Sequence, residues 1–135
     1  MTLTDAGPLV ALIDADEADH EVCQLVLQGL RLPLLTTWPA FTEAMYLLGR
    51  AGTQGPPALW RLALTDRLEI AELSRPALER SAALMAKYAD LSMDLANATL
   101  VAMAEERGER QIFTLDSDFT VYRLHGRRRF DIVPG

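Results

Sequence analysis

The sequence predicts an α/β fold: a single domain whose mostly parallel central sheet, of about five strands, carries helices on both faces. Three observations predict it. Short β-prone segments alternate with longer stretches of helical spacing along the whole chain. The connections between successive strands are long enough to hold a helix, as a parallel crossover requires. The length of 135 residues, half of them apolar, suits one core that needs neither disulfides nor structural metal.

The elements follow in order. Thr2–Thr4 makes a short first strand, and Gly7–Pro8 turns the chain into an apolar helix at Leu9–Ile13. Residues Glu17–Leu30 carry helical spacing through Val22, Leu25, Val26 and Leu30. Leu34–Thr36 is a strand, followed by Thr37 as N-cap and Pro39 in the first turn of a helix that runs to Leu48 and stops at Gly49. Gly52–Pro57 is a loop that opens a helix through Trp60 and Leu64. Leu68–Ala71 is the third strand, and Ser74 and Pro76 start the helix Ala77–Tyr88. Asp94–Arg107 is the clearest helix, with Leu95, Ala98, Thr99, Ala102 and Met103 on one stripe and Gly108 as its stop. Gln111–Leu115 is a strand, a short helix starts at Ser117, and Phe130–Val133 is the last strand. No repeat, low-complexity tract or linker interrupts this order, so residues 1–135 form one unit.

The net charge of −6 argues at first against a nucleic-acid partner. Its distribution removes the objection. Residues 1–30 hold six acids (Asp5, Asp14, Asp16, Glu17, Asp19, Glu21) and no Lys or Arg, whereas residues 31–135 are neutral with thirteen of each sign. Most of the excess is an acidic turn facing solvent. Six Arg between 107 and 129 face only Glu109, Asp116 and Asp118, and Arg123 with Arg127–Arg129 could grip a phosphate backbone or form a solvated turn. The single Cys23 lies among Val22, Leu25 and Val26 and reads as a buried, inert thiol. No apolar run is of bilayer length, and the first basic residue is Arg31, so a cytoplasmic location without membrane contact is expected.

In open parallel sheets, functional groups gather beyond the carboxyl ends of the strands. Asp5 ends the first strand, Asp116 ends the Gln111–Leu115 strand, and Asp94 opens its helix. Glu43 differs, because its helical neighbours Pro39, Ala40, Tyr46 and Leu47 are largely apolar. Each acid also fits a plain structural role: the three Asp as helix caps, Glu43 as a solvated residue. As a set they are harder to dismiss. Two charges about 4 Å apart repel by about 4 kcal/mol at an effective dielectric of about 20. With Lys87 the only lysine and no Arg near any of the four in sequence, a hard divalent cation is the natural partner. All-oxygen donors favour Mg²⁺, or Mn²⁺, over zinc, and two His with one Cys cannot build a zinc site.

These residues carry a family resemblance. Thr4-Asp5-Ala6-Gly7-Pro8-Leu9-Val10-Ala11-Leu12 resembles the opening of PIN-domain proteins, above all the VapC-type toxins of bacterial toxin–antitoxin pairs. Thr36-Thr37 with Phe41-Thr42-Glu43-Ala44, then Ser92-Met93-Asp94-Leu95-Ala96-Asn97-Ala98, then Phe113-Thr114-Leu115-Asp116-Ser117-Asp118-Phe119 resemble the motifs that follow, in order and over nearly the whole chain. The resemblance implies a metal-dependent endoribonuclease in which Asp5, Glu43, Asp94 and Asp116 bind one or two Mg²⁺ or Mn²⁺ ions. It also implies an auxiliary metal-binding acid at Asp118 and a polar Thr114 that fixes a carboxylate or a water. RNA would be hydrolysed by metal-activated water without a covalent intermediate, with Glu43 as ligand or base. The partners implied are RNA, a second copy in a homodimer, and an antitoxin peptide in an apolar groove that Trp38, Phe41, Met45, Leu48 and Trp60 could line or else bury as core.

Two other readings of the acids fail. Asp116-Ser117-Asp118-Phe119-Thr120 fits the signature of haloacid-dehalogenase-type phosphatases, but no Lys follows it. A phosphoacceptor receiver domain needs a Lys at a strand end, and Lys87 lies in a helix. A PIN nuclease of RNA maturation and a non-catalytic PIN module remain as alternatives; the short chain favours the toxin, and the retained acids favour activity.

Overall fold

The computed structural model describes residues 1–135. Its strands are β1 (Thr2–Thr4), β2 (Leu34–Thr37), β3 (Leu68–Ala71), β4 (Gln111–Phe113), β5 (Arg123–Leu124), β6 (Arg128–Arg129) and β7 (Asp131–Val133). Its helices are α1 (Ala6–Ile13), α2 (His20–Leu27), α3 (Trp38–Ala51), α4 (Gly55–Leu64), α5 (Arg75–Lys87) and α6 (Leu95–Arg107), with short 3-10 turns at Ala89–Leu91 and Ser117–Thr120. Five strands form one sheet in the order β3-β2-β1-β4-β7, and every pairing is parallel.

Period-two alternation along the strands sends side chains to two cores. Leu3, Leu35 and Ile112 join one with α5 and α6; Leu34, Leu68 and Phe113 join another with α1 to α4. Both faces of the sheet are therefore covered, as near-continuous apolar strands require. No helix is long and apolar enough to cross a membrane. Cys23 is fully buried, which matches its expected inert role.

Local chemistry explains where boundaries differ from expectation. The first helix starts at Ala6 rather than Leu9, because the Asp5 side chain caps it and Pro8 falls in the first turn, where no N–H is needed. The second is shorter than Glu17–Leu30; Asp14 Oδ1 takes the Asp16 amide at 3.0 Å, an Asx turn that competes with helix. α3 runs through Gly49, whose cost of about 1 kcal/mol is smaller than the contribution of burying Leu48. Gly55 then starts α4 against Leu48, where an added Cβ would come within 2.9 Å of the Leu48 Cβ. Thr37 extends β2 and does not cap α3; its hydroxyl pairs with the Thr99 hydroxyl at 2.8 Å.

The stripe read on α6 is the larger correction. Residues Ala96 to Ala104 are all buried, while Leu95, placed on the stripe, is exposed. Small residues let the sheet, α5 and the β5–β6 hairpin close around the helix on every side. That antiparallel hairpin carries no β-prone signal; it turns at His125 and Gly126, both with positive φ, with the Arg127 amide donating to the Leu124 carbonyl at 3.0 Å. β4 stops at Phe113, not Leu115, because the Asp116 side chain accepts from the Asp118 amide and turns the chain.

Candidate active site

The sheet order makes β1 the point at which connections diverge: one leads to β2 on one side, and β4 lies on the other. The carboxyl ends of β1 and β4 thus flank the crevice where open parallel sheets bind ligands. Asp5 follows β1 directly, and Asp116 lies in the turn after β4. Asp94 caps α6, and Glu43 reaches the same rim from α3, the helix that follows β2.

Asp5 is held most firmly. Its Oδ1 accepts from the Ala6 amide at 2.7 Å and its Oδ2 from the Thr114 hydroxyl at 2.8 Å, and only 5 % of the residue is exposed. Thr114 in turn accepts from the Asp116 amide at 3.0 Å, so one buried hydroxyl joins the loops after β1 and β4. Asp116 accepts from the Asp118 amide at Oδ1 (2.9 Å) and from Asn97 Nδ2 at Oδ2 (3.0 Å). Asp94 Oδ1 accepts from the Asn97 amide at 2.8 Å.

Two of the four acids respond to the charge of the others. Burial pushes the Asp5 carboxyl up; the bonds from Thr114 and Ala6 oppose this, and the charges of Asp116 and Asp94 add to the rise. Glu43, exposed as a residue, is raised by partial shielding of its carboxyl and then by Asp94, Asp5 and Asp116. The ion pairs of the chain are Arg75–Glu79, Arg80–Glu105 and Arg107–Glu69, so no basic side chain pairs with any of these acids. No three of the acids converge tightly enough to form a closed ligand set on their own. Uncompensated oxygen donors on one rim fit a hard divalent cation that completes its shell with water. Asp118 lies in the same turn as Asp116; its carboxylate acts on Tyr122, whose hydroxyl is pushed up first by burial and then by Asp118, Asp116 and Asp94.

The arginines between 107 and 129 are divided between two places. Arg110 Nε donates to the Arg129 carbonyl at 3.1 Å at the amino end of β4, opposite Asp116, and Arg107 pairs with Glu69 at 3.3 Å. Arg123 donates to the carbonyls of Thr120, Val121 and Tyr122, which fastens its own turn. The side chain of Arg123 is thus committed to its own turn, while Arg127, Arg128 and Arg129 are exposed. Sequence reasoning missed Asn97 and Tyr122. A polar side chain three residues after Asp94, inside an apolar run, was the available signal for Asn97; Tyr122 had none.

The family model of the PIN domain matches residues 2–123. The chain belongs to the PIN-domain family. Among curated proteins, this PIN chain is 28% identical to Ribonuclease VapC26 of Mycobacterium tuberculosis over 134 residues, which covers 98% of this chain and 99% of the relative. Its fold matches the crystal structure of VapC20 from Mycobacterium tuberculosis, a toxin cleaving the Sarcin-Ricin loop, with a TM-score of 0.84 at 18% identity, over 95% of this chain and 99% of the other. It also matches a toxin–antitoxin complex from Klebsiella pneumoniae with a TM-score of 0.67 at 21% identity, over 88% and 90% of the two chains.

Thr114 is the joint of this PIN site, and its loss is measurable. Thr114→Val keeps the shape but removes the donor to Asp5 and the acceptor for the Asp116 amide. Outer partners of this kind are worth about 10- to 100-fold in activity or metal affinity. RNA cleavage should fall by that factor; an unchanged rate would show that the two loops are held without it.

The raised carboxyls also fix a pH dependence. A raised acid binds its proton more tightly when folded, so its stabilising effect is complete at low pH. That effect is lost as pH rises from the ordinary values of 3.8 (Asp5) and 4.5 (Glu43) through the raised ones. Glu105 shifts the other way: burial would raise it, but the Arg80 side chain and the His125 amide hold it below its usual 4.5. Its effect is lost only as the pH falls below that value. As pH rises above those ordinary values, Tm should therefore drop more steeply in EDTA than in excess Mn²⁺, since a cation held by the folded state would offset the repulsion. Parallel curves would contradict a shared acidic site.

Proposed function

We propose that this chain is a divalent-metal-dependent endoribonuclease of the VapC type, the toxin of a toxin–antitoxin pair. What supports the reading is that the charges of Asp94, Asp5 and Asp116 act on Glu43, and those of Asp116 and Asp94 on Asp5, with no basic side chain paired to any of the four. The full-length similarity to a curated ribonuclease and to solved toxins supports it.

Asp5, Asp94 and Asp116 would hold Mg²⁺ or Mn²⁺, with Asp118 as an auxiliary acid. A cation bound there supplies a more acidic water and neutralises charge on the leaving oxygen. Asp5 is buried and twice hydrogen-bonded, so it anchors rather than moves. Glu43 is open to solvent and has a raised proton affinity, which suits its carboxylate to take the proton of an attacking water. No Ser, Cys or His is set up as a covalent nucleophile, so hydrolysis would proceed without an enzyme-bound intermediate.

The antitoxin would dock on the face of α3 and α4. Phe41 and Leu48, once candidates for a groove, are buried core, whereas Trp38 and Trp60 are each 43% exposed. Cavities of about 370 and 340 Å³ share these two tryptophans, and Met45 lines the second. An amphipathic peptide would lay apolar side chains there, and a second copy would complete a homodimer. The experiment is cleavage of defined RNAs with Mg²⁺ or Mn²⁺ beside an EDTA control. Metal-dependent cleavage is expected; cleavage that persists in EDTA, or none on any RNA with either metal, would overturn the reading.

A further inference from the structure

The β5–β6 hairpin concentrates positive charge that its own stability does not call for. Arg127, Arg128 and Arg129 are the only three consecutive basic residues in the chain, and all three are exposed. Lys87 joins them from the last turn of α5: a Cβ added at Gly126, in the hairpin turn, would lie 3.8 Å from its Nζ. None of these four takes part in the ion pairs of the chain. Glu105, the acid that meets the turn, accepts from Arg80 Nε at 2.8 Å and Nη2 at 3.1 Å, so Arg80 already neutralises it. Strand pairing also sets Arg123 opposite Arg129, and like charges directly opposite destabilise a ladder.

The hairpin is nevertheless fastened at both ends. At its base the Arg123 amide donates to the Tyr88 hydroxyl at 3.1 Å, and Arg110 Nε donates to the Arg129 carbonyl at 3.1 Å. At its tip the His125 amide donates to the Glu105 carboxylate. Leu124 and Phe130 are buried in the core shared with α5 and α6. A fixed array of cations loses little freedom when it meets a ligand. The hairpin begins just after the Ser117–Thr120 turn that carries Asp118, on the flank of the acidic rim. Its tip is tied to Glu105 near the C-terminal end of α6, about 16 Å from Asp94 at about 1.5 Å of rise per residue.

We propose that the hairpin and Lys87 form a second RNA contact, in which Lys87, Arg127, Arg128 and Arg129 hold backbone phosphates away from the bond that is cut. This rests on the ribonuclease reading above. A chain of net charge −6 with an acidic rim repels a polyanion, so RNA needs a place where positive charge is concentrated. Cations on the rim itself would cancel the charge that attracts a metal ion; at about 16 Å they are beyond the roughly 10 Å over which salt lets exposed charges interact. Guanidinium forks also match phosphate oxygens. An acidic segment of a protein partner would meet the same charges, but the exposed tryptophans belong to α3 and α4, which pack on the other face of the sheet. A peptide docked there does not need the hairpin, whereas RNA held at the rim continues past it.

The test is binding of a structured RNA by the full chain, read by fluorescence anisotropy in EDTA over a range of salt, with Mn²⁺ affinity and Tm measured on the same proteins. Arg127→Gln, Arg128→Gln and Arg129→Gln combined should weaken RNA binding about 100-fold near about 0.1 M salt and flatten the log–log salt slope by about 2. The corresponding triple change to Lys keeps the charge and should bind within about threefold of the parent. Lys87→Gln, on a different element, should weaken binding about fivefold, which decides the matter even if the hairpin variants fail to fold. Mn²⁺ affinity should stay within about twofold throughout, since the rim is untouched. Unchanged RNA affinity and slope in both Gln variants, with metal-dependent cleavage intact, would overturn the RNA contact and leave the patch to an acidic protein segment. If the Lys triple loses as much affinity as the Gln triple, or if Mn²⁺ affinity falls along with RNA binding, the residues act through shape or through the rim, and the proposal is likewise overturned. If the parent neither binds RNA nor cleaves it with either metal, the ribonuclease reading fails and takes the proposal with it.

Discussion

Asp5→Ala should reduce RNA cleavage by at least about a thousandfold while leaving the fold intact, because a metal site supplies several kcal/mol to the transition state and each 1.36 kcal/mol is tenfold in rate. Asp5 is the acid that both wings of the rim share. It ends β1 at the divergence of the sheet, and Thr114 links its Oδ2 to the Asp116 loop. The stability change should be small for an offsetting reason. Losing the cap on the Ala6 amide costs about 1 kcal/mol, but the substitution also removes a buried carboxyl that burial and two neighbouring acids already disfavour as a charge. Rates on a defined RNA with Mn²⁺, together with a thermal melt, separate the two effects. Cleavage within about tenfold of the parent protein would place the chemistry elsewhere.

Phe113→Ala should cost about 3–5 kcal/mol of stability, a large part of the roughly 5–15 kcal/mol that holds a domain of this size. Phe113 is fully exposed to the α1–α4 core and not at all to solvent. It lies in β4 between β1 and β7, so neither neighbour can close on the cavity without breaking the parallel ladder. Its carbonyl also accepts from the Asp5 amide at 2.9 Å, so movement of β4 would shift the acid that anchors the rim. Urea denaturation gives the loss directly; a change below about 1 kcal/mol would mean that the core repacks around the gap.

The order of strands and helices was legible because each element carries its own period. Leu68–Ala71 and the start of α5 at Ser74 lie where turn and cap chemistry put them. So were the places of Asp5, Asp94 and Asp116, which each stand at an element boundary, where parallel sheets gather functional groups. Glu43 was legible as a charge in an apolar setting. The boundaries of α1, α2 and α3 were not, because side-chain bonds such as Asp5 to Ala6 and close approaches such as Gly55 to Leu48 decide them. The β5–β6 hairpin was hidden because its arms, Arg123–Leu124 and Arg128–Arg129, have no alternation to read.

The amino-acid order alone was enough to specify an α/β architecture and a parallel sheet with Asp5, Asp94 and Asp116 at element boundaries, because period, caps and strand ends are local properties. Which groups hold those acids in register depended on folding. Thr114 meets Asp5 across 109 residues, Asn97 meets Asp94 and Asp116, and Tyr122 meets Asn97; sequence spacing carries no record of the long-range contacts among these. The same holds for the arginines, where only packing shows that Arg110 bonds to the Arg129 carbonyl and Arg123 to its own turn. Local patterns arise from neighbours a few bonds away, whereas a site arises from segments that only burial of a common core brings together.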